Sequence, residues 1–182
     1  MKFQIKRYKE ISSTNNLAKE YAAKNLGEGL VITADYQTEG RGKPGRKWIS
    51  PPGKNLLFSL LLRPPMPPHR APLLTHIACR SVADVLKRKY GLASTFKRPN
   101  DILVRGKKIC GVLVEASSGS NGRLESAVIG IGLNVNAQIG DLPDGATSMK
   151  EIQGKIFDRR KILRDLLAQL KKDLKRAYAH PA

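Results

Sequence analysis

The sequence predicts an α+β domain with a mixed, largely antiparallel sheet and flanking helices. Three observations favour this class. Apolar or alternating runs of strand length recur along the chain, two of them are joined by a glycine turn, and amphipathic helical segments lie between them. Strands that are linked by hairpins do not build a doubly wound parallel sheet, in which a helix follows each strand.

We predict strands at 2–8, 30–37, 56–62 and 127–135, and a hairpin of two strands at 102–104 and 108–115. We predict helices at 15–24, 71–89 and 158–178. The first strand alternates in polarity. The first helix follows Ser12-Ser13-Thr14, which offers an N-cap. The run at 56–62 is continuously apolar and ends before two prolines, which is typical of a buried strand.

The later elements have equally local signals. The helix at 71–89 carries one apolar stripe, made of Leu73, Leu74, Ile77, Ala78 and Val82. Arg105-Gly106-Lys107 provides the hairpin turn. The last helix is basic and amphipathic, with an apolar side made of Ile162, Leu163, Leu166, Leu167, Leu170 and Leu174.

Length and composition fit a single domain over 1–182. The chain has 182 residues, of which 41% are hydrophobic, so it can build a core. We expect no membrane segment, because no apolar run is long enough, and no signal peptide, because the N-terminus MKFQIKRYKE is charged and alternating. Cys79 and Cys110 lie in apolar contexts without metal-ligand spacing, so we expect buried free thiols and a cytoplasmic location.

The charge is strongly positive. Lys and Arg number 33 and Asp and Glu number 15, which gives a net charge of +18. Such an excess favours anionic partners such as nucleic acid, acidic proteins or phosphorylated small molecules, although a general bias in composition would also produce it. The basic residues are spread along the chain, and aromatic residues make up only 5% and do not cluster on the basic loop, which argues against a nucleic-acid-binding module.

A glycine motif after the strand at 30–37 resembles a dinucleotide-binding fingerprint. Gly40, Gly42 and Gly45 fit G-x-G-x-x-G, but the fingerprint requires a helix that begins at the third glycine. Pro44 lies inside the motif, and Pro51-Pro52-Gly53 follows where the helix would continue. We therefore predict a glycine-rich basic loop of another kind.

Three segments carry candidate chemistry. The loop at 40–55 combines glycines with bases and contains no acid, which suits anion binding. The segment 97–111 contains a Pro-Asn-Asp turn beside lysines, and 130–136 places two glycines inside an apolar strand, where a ligand or another backbone comes close. Each segment alone also fits a solvated loop or ordinary turn chemistry.

Taken together, these segments resemble the biotin protein ligases. The family's loop appears here as GRGKPGRKWISPPGKNLLFSLLLRP, its second motif as KRPNDILVRGKKICGVLVE and its third as GIGLNVN, and Ser13-Thr14-Asn15 matches its S-T-N. The matches follow the family's order and cover nearly the whole chain.

The resemblance implies a two-step reaction. Biotin and Mg-ATP would give biotinyl-5′-AMP and pyrophosphate, and a lysine of a biotin carboxyl carrier protein domain would then attack the mixed anhydride. The implied cofactors and substrates are biotin, ATP and Mg²⁺, with no metal site of the protein's own. We expect the loop to be a lid that lacks regular structure and closes over the adenylate, which shields it from water.

The resemblance also implies residue roles. Ser13, Thr14, Asn15 and Gln37 would hold the ureido ring. The implied biotin site is Ser13, Thr14, Asn15, Gln37, Arg41, Gly42, Lys43, Lys108, Gly111 and Gly130. The implied ATP site is Arg41, Lys43, Arg46, Trp48, Asn100, Lys108 and Asn134, and the implied catalytic residues are Arg41, Lys43, Asp101 and Lys108. Gly130 and Gly132 would let the strand close against the ligand.

The chain departs from the family at several points. Arg98 stands where the family usually has tryptophan, and Lys43 stands where arginine is usual, which keeps the charge but not the bidentate fork. We expect no C-terminal β-barrel and no N-terminal winged helix, and therefore no specific DNA binding by that route; a homodimer stays open. The alternatives are a lipoate ligase or octanoyltransferase, and a relative that binds biotin without turnover.

Overall fold

The computed structural model describes residues 1–43, 45–120 and 122–179. The strands are β1 (Gln4–Ile11), β2 (Leu30–Gln37), β3 (Leu56–Leu62), β4 (Thr95–Lys97), β5 (Asp101–Val104), β6 (Lys107–Ser118) and β7 (Leu124–Leu133). The helices are α1 (Thr14–Ala23), α2 (Ala71–Tyr90), α3 (Met149–Gln153) and α4 (Arg159–Ala179), and a single 3₁₀ turn precedes α2 at Pro68–Arg70.

The seven strands form one mixed sheet in the order β1-β2-β3-β7-β6-β5-β4. β1 and β2 are parallel, and every other neighbouring pair is antiparallel. The predicted fold class, α+β with a mixed and largely antiparallel sheet, is confirmed.

The two faces of the sheet are covered differently. α2 and α4 pack on one face and bury the larger core, which takes the alternate side chains Leu56, Phe58, Leu60 and Leu62 of β3 together with Ala127, Ile129, Ile131 and Leu133 of β7. On the other face, α1 packs Ala18 and Ala22 against Leu30, Ile32, Leu61 and Val128. Since α1 is short, it covers only part of this second face, and the rest is left for the candidate site.

Most predicted elements occur, with shifted ends. The six predicted apolar residues of the last helix are all buried in α4. Ser13 occupies the N-cap position of α1, but its side chain makes no capping hydrogen bond. The sequence analysis missed β4, which has three exposed residues, and α3, which has five residues behind the Ser148 cap, because neither is long enough to show a period.

The thiols of Cys79 and Cys110 are free and buried. Burial raises the pKa of Cys79 to about 12 and that of Cys110 well above the ordinary value. The thiols are therefore protonated at neutral pH and act as small apolar side chains of the core. Within the described part of the chain, no helix has both the length and the apolar character to cross a membrane.

Candidate active site

The floor of the site is formed by rows of paired residues on the face that α1 leaves open. The first row runs across four strands through Leu57, Gly132, Gly111 and Asp101. The second row runs through Ser59, Gly130 and Leu113. Paired residues in antiparallel strands point to the same side, so these rows place glycines side by side in the middle of the floor.

A cavity lies above this floor. It is lined by Ser13, Thr14, Asn15, Gln37, Arg41, Gly42, Lys43, Arg46, Lys47, Trp48, Leu57, Asn100, Asp101, Lys108, Gly111, Val112, Leu113, Gly130, Ile131 and Gly132. The lining includes five basic side chains and a single carboxylate, that of Asp101. A site with this balance favours an anionic ligand. Nowhere in 1–43, 45–120 or 122–179 do three His, Cys, Asp or Glu side chains group as metal ligands.

One wall of the cavity is a hydrogen-bonded polar network. The backbone N–H and the hydroxyl of Thr14 both donate to Oε1 of Gln37, at 2.7 and 2.9 Å. The hydroxyl of Ser59 lies 2.8 Å from Oγ1 of Thr14 and 2.5 Å from Oδ1 of Asn15, and it can donate to either. Thr14, Asn15 and Ser59 are buried, so the start of α1 presents fixed polar groups to a ligand.

Glu115 anchors a cluster at the edge of this wall. Its carboxylate accepts hydrogen bonds from Nδ2 of Asn15 at 2.9 Å and from Nζ of Lys19 at 2.8 Å, and it pairs with NH1 of Arg41 at 2.9 Å. Burial by itself would raise the pKa of Glu115, but the hydrogen bonds from Lys19 and Asn15 and the nearby positive charges outweigh it, so the pKa lies below the ordinary value. Glu115 is therefore ionised at neutral pH.

Lys108 and Asp101 form an ion pair at the opposite end of the floor. Nζ of Lys108 lies 2.7 Å from Oδ1 of Asp101 and 5.5 Å from the centre of the Trp48 ring. The neighbouring Lys107 is exposed whereas Lys108 lines the cavity, so the two lysines face opposite ways. The anion beside the Lys108 ammonium in this structure is Asp101.

A β-bulge decides which lysine faces the site. Ile102 pairs with Cys110 but Leu103 pairs with Lys108, so Ile109 is an extra residue on β6. Strict alternation from Gly111 would put Lys107 on the site face. The bulge shifts the phase by one residue and turns Lys108 to that face.

The described residues of the glycine-rich loop form no helix or named strand, as the sequence analysis predicted, but the loop makes internal hydrogen bonds. The N–H of Trp48 donates to the carbonyl of Gly40, the N–H of Gly42 donates to the carbonyl of Arg46, and Arg41 pairs with Lys47 across a short antiparallel turn. No helix begins at Gly45, which excludes the dinucleotide-binding geometry. The predicted loop also includes Pro44, which lies outside the described residues.

The glycines of the floor admit protein side chains. A Cβ on Gly132 would lie 2.5 Å from Cε2 of Trp48, and one on Gly111 would lie 2.9 Å from Cζ3 of the same ring. A Cβ on Gly130 would overlap the amide of Asn15. The sequence analysis predicted that a ligand or another backbone comes close to these glycines; the groups that lie against them in this structure are the side chains of Trp48 and Asn15. The indole N–H of Trp48 is buried, and among the described residues it has no hydrogen-bond partner.

Two of the predicted nucleotide residues have structural partners. Nδ2 of Asn100 donates to the carbonyl of Val112 at 2.6 Å, and Asn100 lines the cavity. Asn134 is buried, its Oδ1 accepts from Asn55 at 3.1 Å, and its Nδ2 donates to the carbonyl of Thr147 at 3.0 Å. Asn134 does not line the cavity; it lies in the adjoining cleft between the loop at 46–49 and residues 143–146.

The structure also shows what the sequence analysis missed. Arg98, which stands where the family usually has tryptophan, is exposed and lies outside the cavity lining. Ser59 and Glu115 both contact Asn15 and were not predicted to belong to the site. Glu115 ends the second motif, KKICGVLVE, but the bases that it contacts are about 75 to 95 residues away in sequence, a distance at which local patterns give no signal.

Comparison with known proteins identifies the family. Residues 8–134 match the family model described as the biotin/lipoate A/B protein ligase family. This chain belongs to that family. It is 38% identical over 174 residues to the bifunctional ligase/repressor BirA of Bacillus spizizenii, and 36% identical over 146 residues to the biotin–[acetyl-CoA-carboxylase] ligase of Paracoccus denitrificans.

Solved structures of family members have the same fold. The biotin protein ligase of Aquifex aeolicus in complex with biotin and ATP superposes with a TM-score of 0.82 at 33% identity, covering 97% of this chain and 72% of that one. The Leishmania major enzyme with biotinyl-5-AMP gives a TM-score of 0.73 at 28% identity, covering 95% of this chain and 75% of that one. The sequence match to the Bacillus relative covers 93% of this chain and 53% of that protein. The sequence match to the Paracoccus relative covers 78% of this chain and 60% of that protein, so the chain spans little more than half of the length of these relatives.

Proposed function

We propose that this chain is the catalytic unit of a biotin protein ligase, which activates biotin with ATP and transfers it to a lysine of a carrier domain. The observation that carries the proposal is convergence. Of the fifteen residues that the resemblance assigns to biotin, ATP or catalysis, every one except Asn134 lines a single cavity, although the set extends from Ser13 to Gly130. The relative from Aquifex aeolicus was solved with biotin and ATP together, which supports the same pair of substrates here.

The polar wall suits the uncharged head of biotin. Thr14, Asn15 and Gln37 offer fixed donors and acceptors, and a ureido ring needs both. Glycines in the floor beside the wall let Asn15 and Trp48 lie directly against the sheet, so the planar indole forms part of the surface that a fused ring system would contact. Leu57 and Leu113 add apolar surface for its carbon and sulfur atoms.

The basic side chains suit the activation step. A carboxylate oxygen of biotin would attack the α-phosphorus of ATP, and the bond to the bridging oxygen would break to release pyrophosphate. Two anions must meet for this to happen, so the site must supply cations. Arg41, Lys43, Arg46 and Lys108 line the cavity and would neutralise the carboxylate and the phosphates.

Mg²⁺ would enter with ATP and would neutralise charge on its phosphates. This cation usually binds through phosphates and one or two carboxylates, and it keeps several waters. Asp101 is the carboxylate in the cavity lining and fits that role. In the second step, the amine of the acceptor lysine would attack the acyl carbon, and AMP would leave as the amide forms. Asn100 and Asp101 would orient the incoming amine.

The test is a carrier-modification assay. The protein is incubated with biotin, Mg-ATP and the biotin-accepting domain of an acetyl-CoA carboxylase, and the carrier is analysed by mass spectrometry. We expect one biotin on one lysine and release of pyrophosphate that depends on biotin. Parallel reactions with lipoate and octanoate in place of biotin identify the preferred acid. They are needed because the family description names both biotin and lipoate ligases. Biotin binding without pyrophosphate release would instead indicate a non-catalytic relative.

A second measurement addresses the lid. The loop at 40–54 lies over the cavity through Arg41, Lys43 and Trp48. We expect biotin and ATP to increase its protection in hydrogen exchange, because bound anions would hold its bases in place. Equal protection with and without ligands would contradict a lid.

A further inference from the structure

We propose that Glu115 is a positioning residue that orients the side-chain amide of Asn15 for recognition of biotin. The proposal rests on the function proposed above. Glu115 does not line the cavity itself, whereas Asn15 does. Glu115 contacts two lining residues, Asn15 and Arg41, and the proposal concerns its bond to Asn15.

The amide of Asn15 is held from two sides. Its Nδ2 donates to Oε2 of Glu115 at 2.9 Å, and its Oδ1 lies 2.5 Å from the hydroxyl of Ser59. A flipped amide would place its oxygen against the carboxylate, so the flip would lose a charge-assisted hydrogen bond and gain a repulsion. The carboxylate, which makes the shorter of the two bonds from Nδ2, therefore sets the orientation of the amide together with the carbonyl of Leu113, which accepts from the same nitrogen at 3.4 Å.

The selected orientation suits a ligand that carries N–H groups. An amide oxygen has two lone pairs, and the Ser59 hydroxyl uses one of them. The other can accept a hydrogen bond from a ureido N–H of biotin. With the amide reversed, the NH₂ group would face the ligand and could not accept that bond.

Two bases hold the carboxylate in place. Lys19 and Arg41 lie 2.8 and 2.9 Å from Oε1 of Glu115, while Oε2 accepts from Asn15 at 2.9 Å and from NH1 of Arg41 at 3.2 Å. The side chains of Lys19 and Arg41 are each 40% exposed, and that of Glu115 is 21% exposed. Ion pairs with this exposure contribute little to folding, so the cluster is better suited to orientation than to stability.

The same cluster predicts what glutamine would do at this position. In Glu115→Gln, the two cations would retain the amide oxygen of the new side chain and turn its NH₂ group towards Asn15. Two NH₂ groups would then meet, and the Asn15 amide would rotate or shift. The substitution keeps the size of the side chain and reverses its hydrogen bond.

The experiment measures the biotin dissociation constant by calorimetry and the melting temperature of each variant. We expect Glu115→Gln to weaken biotin binding about tenfold or more, as expected when a buried polar group of the ligand is left without its hydrogen-bond partner, with little change in melting temperature. Glu20→Gln is the matched control, because Glu20 is an exposed glutamate on α1. Its biotin affinity should equal that of the parent.

A second variant covers the case in which Glu115→Gln folds poorly. Glu115→Asp keeps the negative charge between Lys19 and Arg41 but withdraws it by about 1.5 Å, the length of one carbon–carbon bond. Since the bond to Asn15 is 2.9 Å long, it would break. This variant should also weaken biotin binding.

A double-mutant cycle separates orientation from other effects. If Glu115 acts through Asn15, then Glu115→Gln should weaken biotin binding in the parent but not further in Asn15→Ala. Unchanged affinity in the folded Glu115 variants would overturn the proposal, and so would effects that add fully in the Asn15→Ala background. Failure of the parent to bind biotin would instead overturn the proposed function on which this inference rests.

Discussion

Removal of the Lys108 side chain is expected to abolish most of the ATP-dependent activation of the biotin carboxylate and to leave the fold nearly unchanged. The Lys108–Asp101 pair is short, at 2.7 Å, but the two side chains are 34% and 21% exposed. Pairs of this kind contribute on the order of 1 kcal/mol or less to stability, because water screens them and long side chains lose entropy. Lys108→Ala should therefore lower the free energy of unfolding by about 1 kcal/mol at most.

The expected loss of activity is much larger. In the proposed reaction, Lys108 stabilises charge on the carboxylate and phosphate as the bond forms. Loss of one such donor usually costs about 2.7–4 kcal/mol, or 10²–10³-fold in rate. The assay is biotin-dependent exchange of pyrophosphate into ATP, run beside urea denaturation of the same sample.

Lys107→Ala is the matched control, because it removes the same side chain one residue away. Lys107 is exposed, so its truncation should change stability by less than about 0.5 kcal/mol and leave the exchange rate unaltered. Greater damage from Lys107→Ala than from Lys108→Ala would refute the strand register and the site built on it. A loss of several kcal/mol of stability in Lys108→Ala would refute the separation of fold from function.

Three further predictions concern the floor, a buried amide and the thiols. Gly132→Ala would place a Cβ against the indole of Trp48, so we expect urea denaturation to show a free energy of unfolding that is lower by about 1–3 kcal/mol. We also expect a changed fluorescence emission spectrum, which reports on this site because Trp48 is the single tryptophan. An unchanged spectrum would contradict the close packing. Asn134→Ala would remove the hydrogen-bond partner of the Asn55 amide and of the Thr147 carbonyl, so we expect the free energy of unfolding to fall by about 1–3 kcal/mol in the same denaturation experiment. An unchanged free energy of unfolding would show that water replaces the amide. Cys79 and Cys110 should react with a thiol reagent at pH 8 no faster than the protein unfolds, since burial keeps both protonated; rapid reaction of the native protein would contradict their burial.

Local patterns determined the elements and the family. The six apolar residues of the last helix recur with the period of an α-helix, and all six are buried in α4. The apolar run at 56–62 coincides with β3, a fully buried strand in the centre of the sheet. Such signals need only near neighbours in the chain. The motifs likewise consist of contiguous residues, so the amino-acid sequence is sufficient to reveal the resemblance to the biotin protein ligases.

The tertiary structure decided how those residues meet. Simple alternation from Gly111 selects Lys107 as the inward lysine, but the bulge at Ile109 reverses the choice, and it is defined only by pairing between β5 and β6. Glu115 ends a recognisable motif, yet its contacts with Asn15 and Lys19 join residues about a hundred positions apart. Local periodicity carries no information on such contacts, because strand register and the packing of a helix on a sheet are set by the whole assembled core.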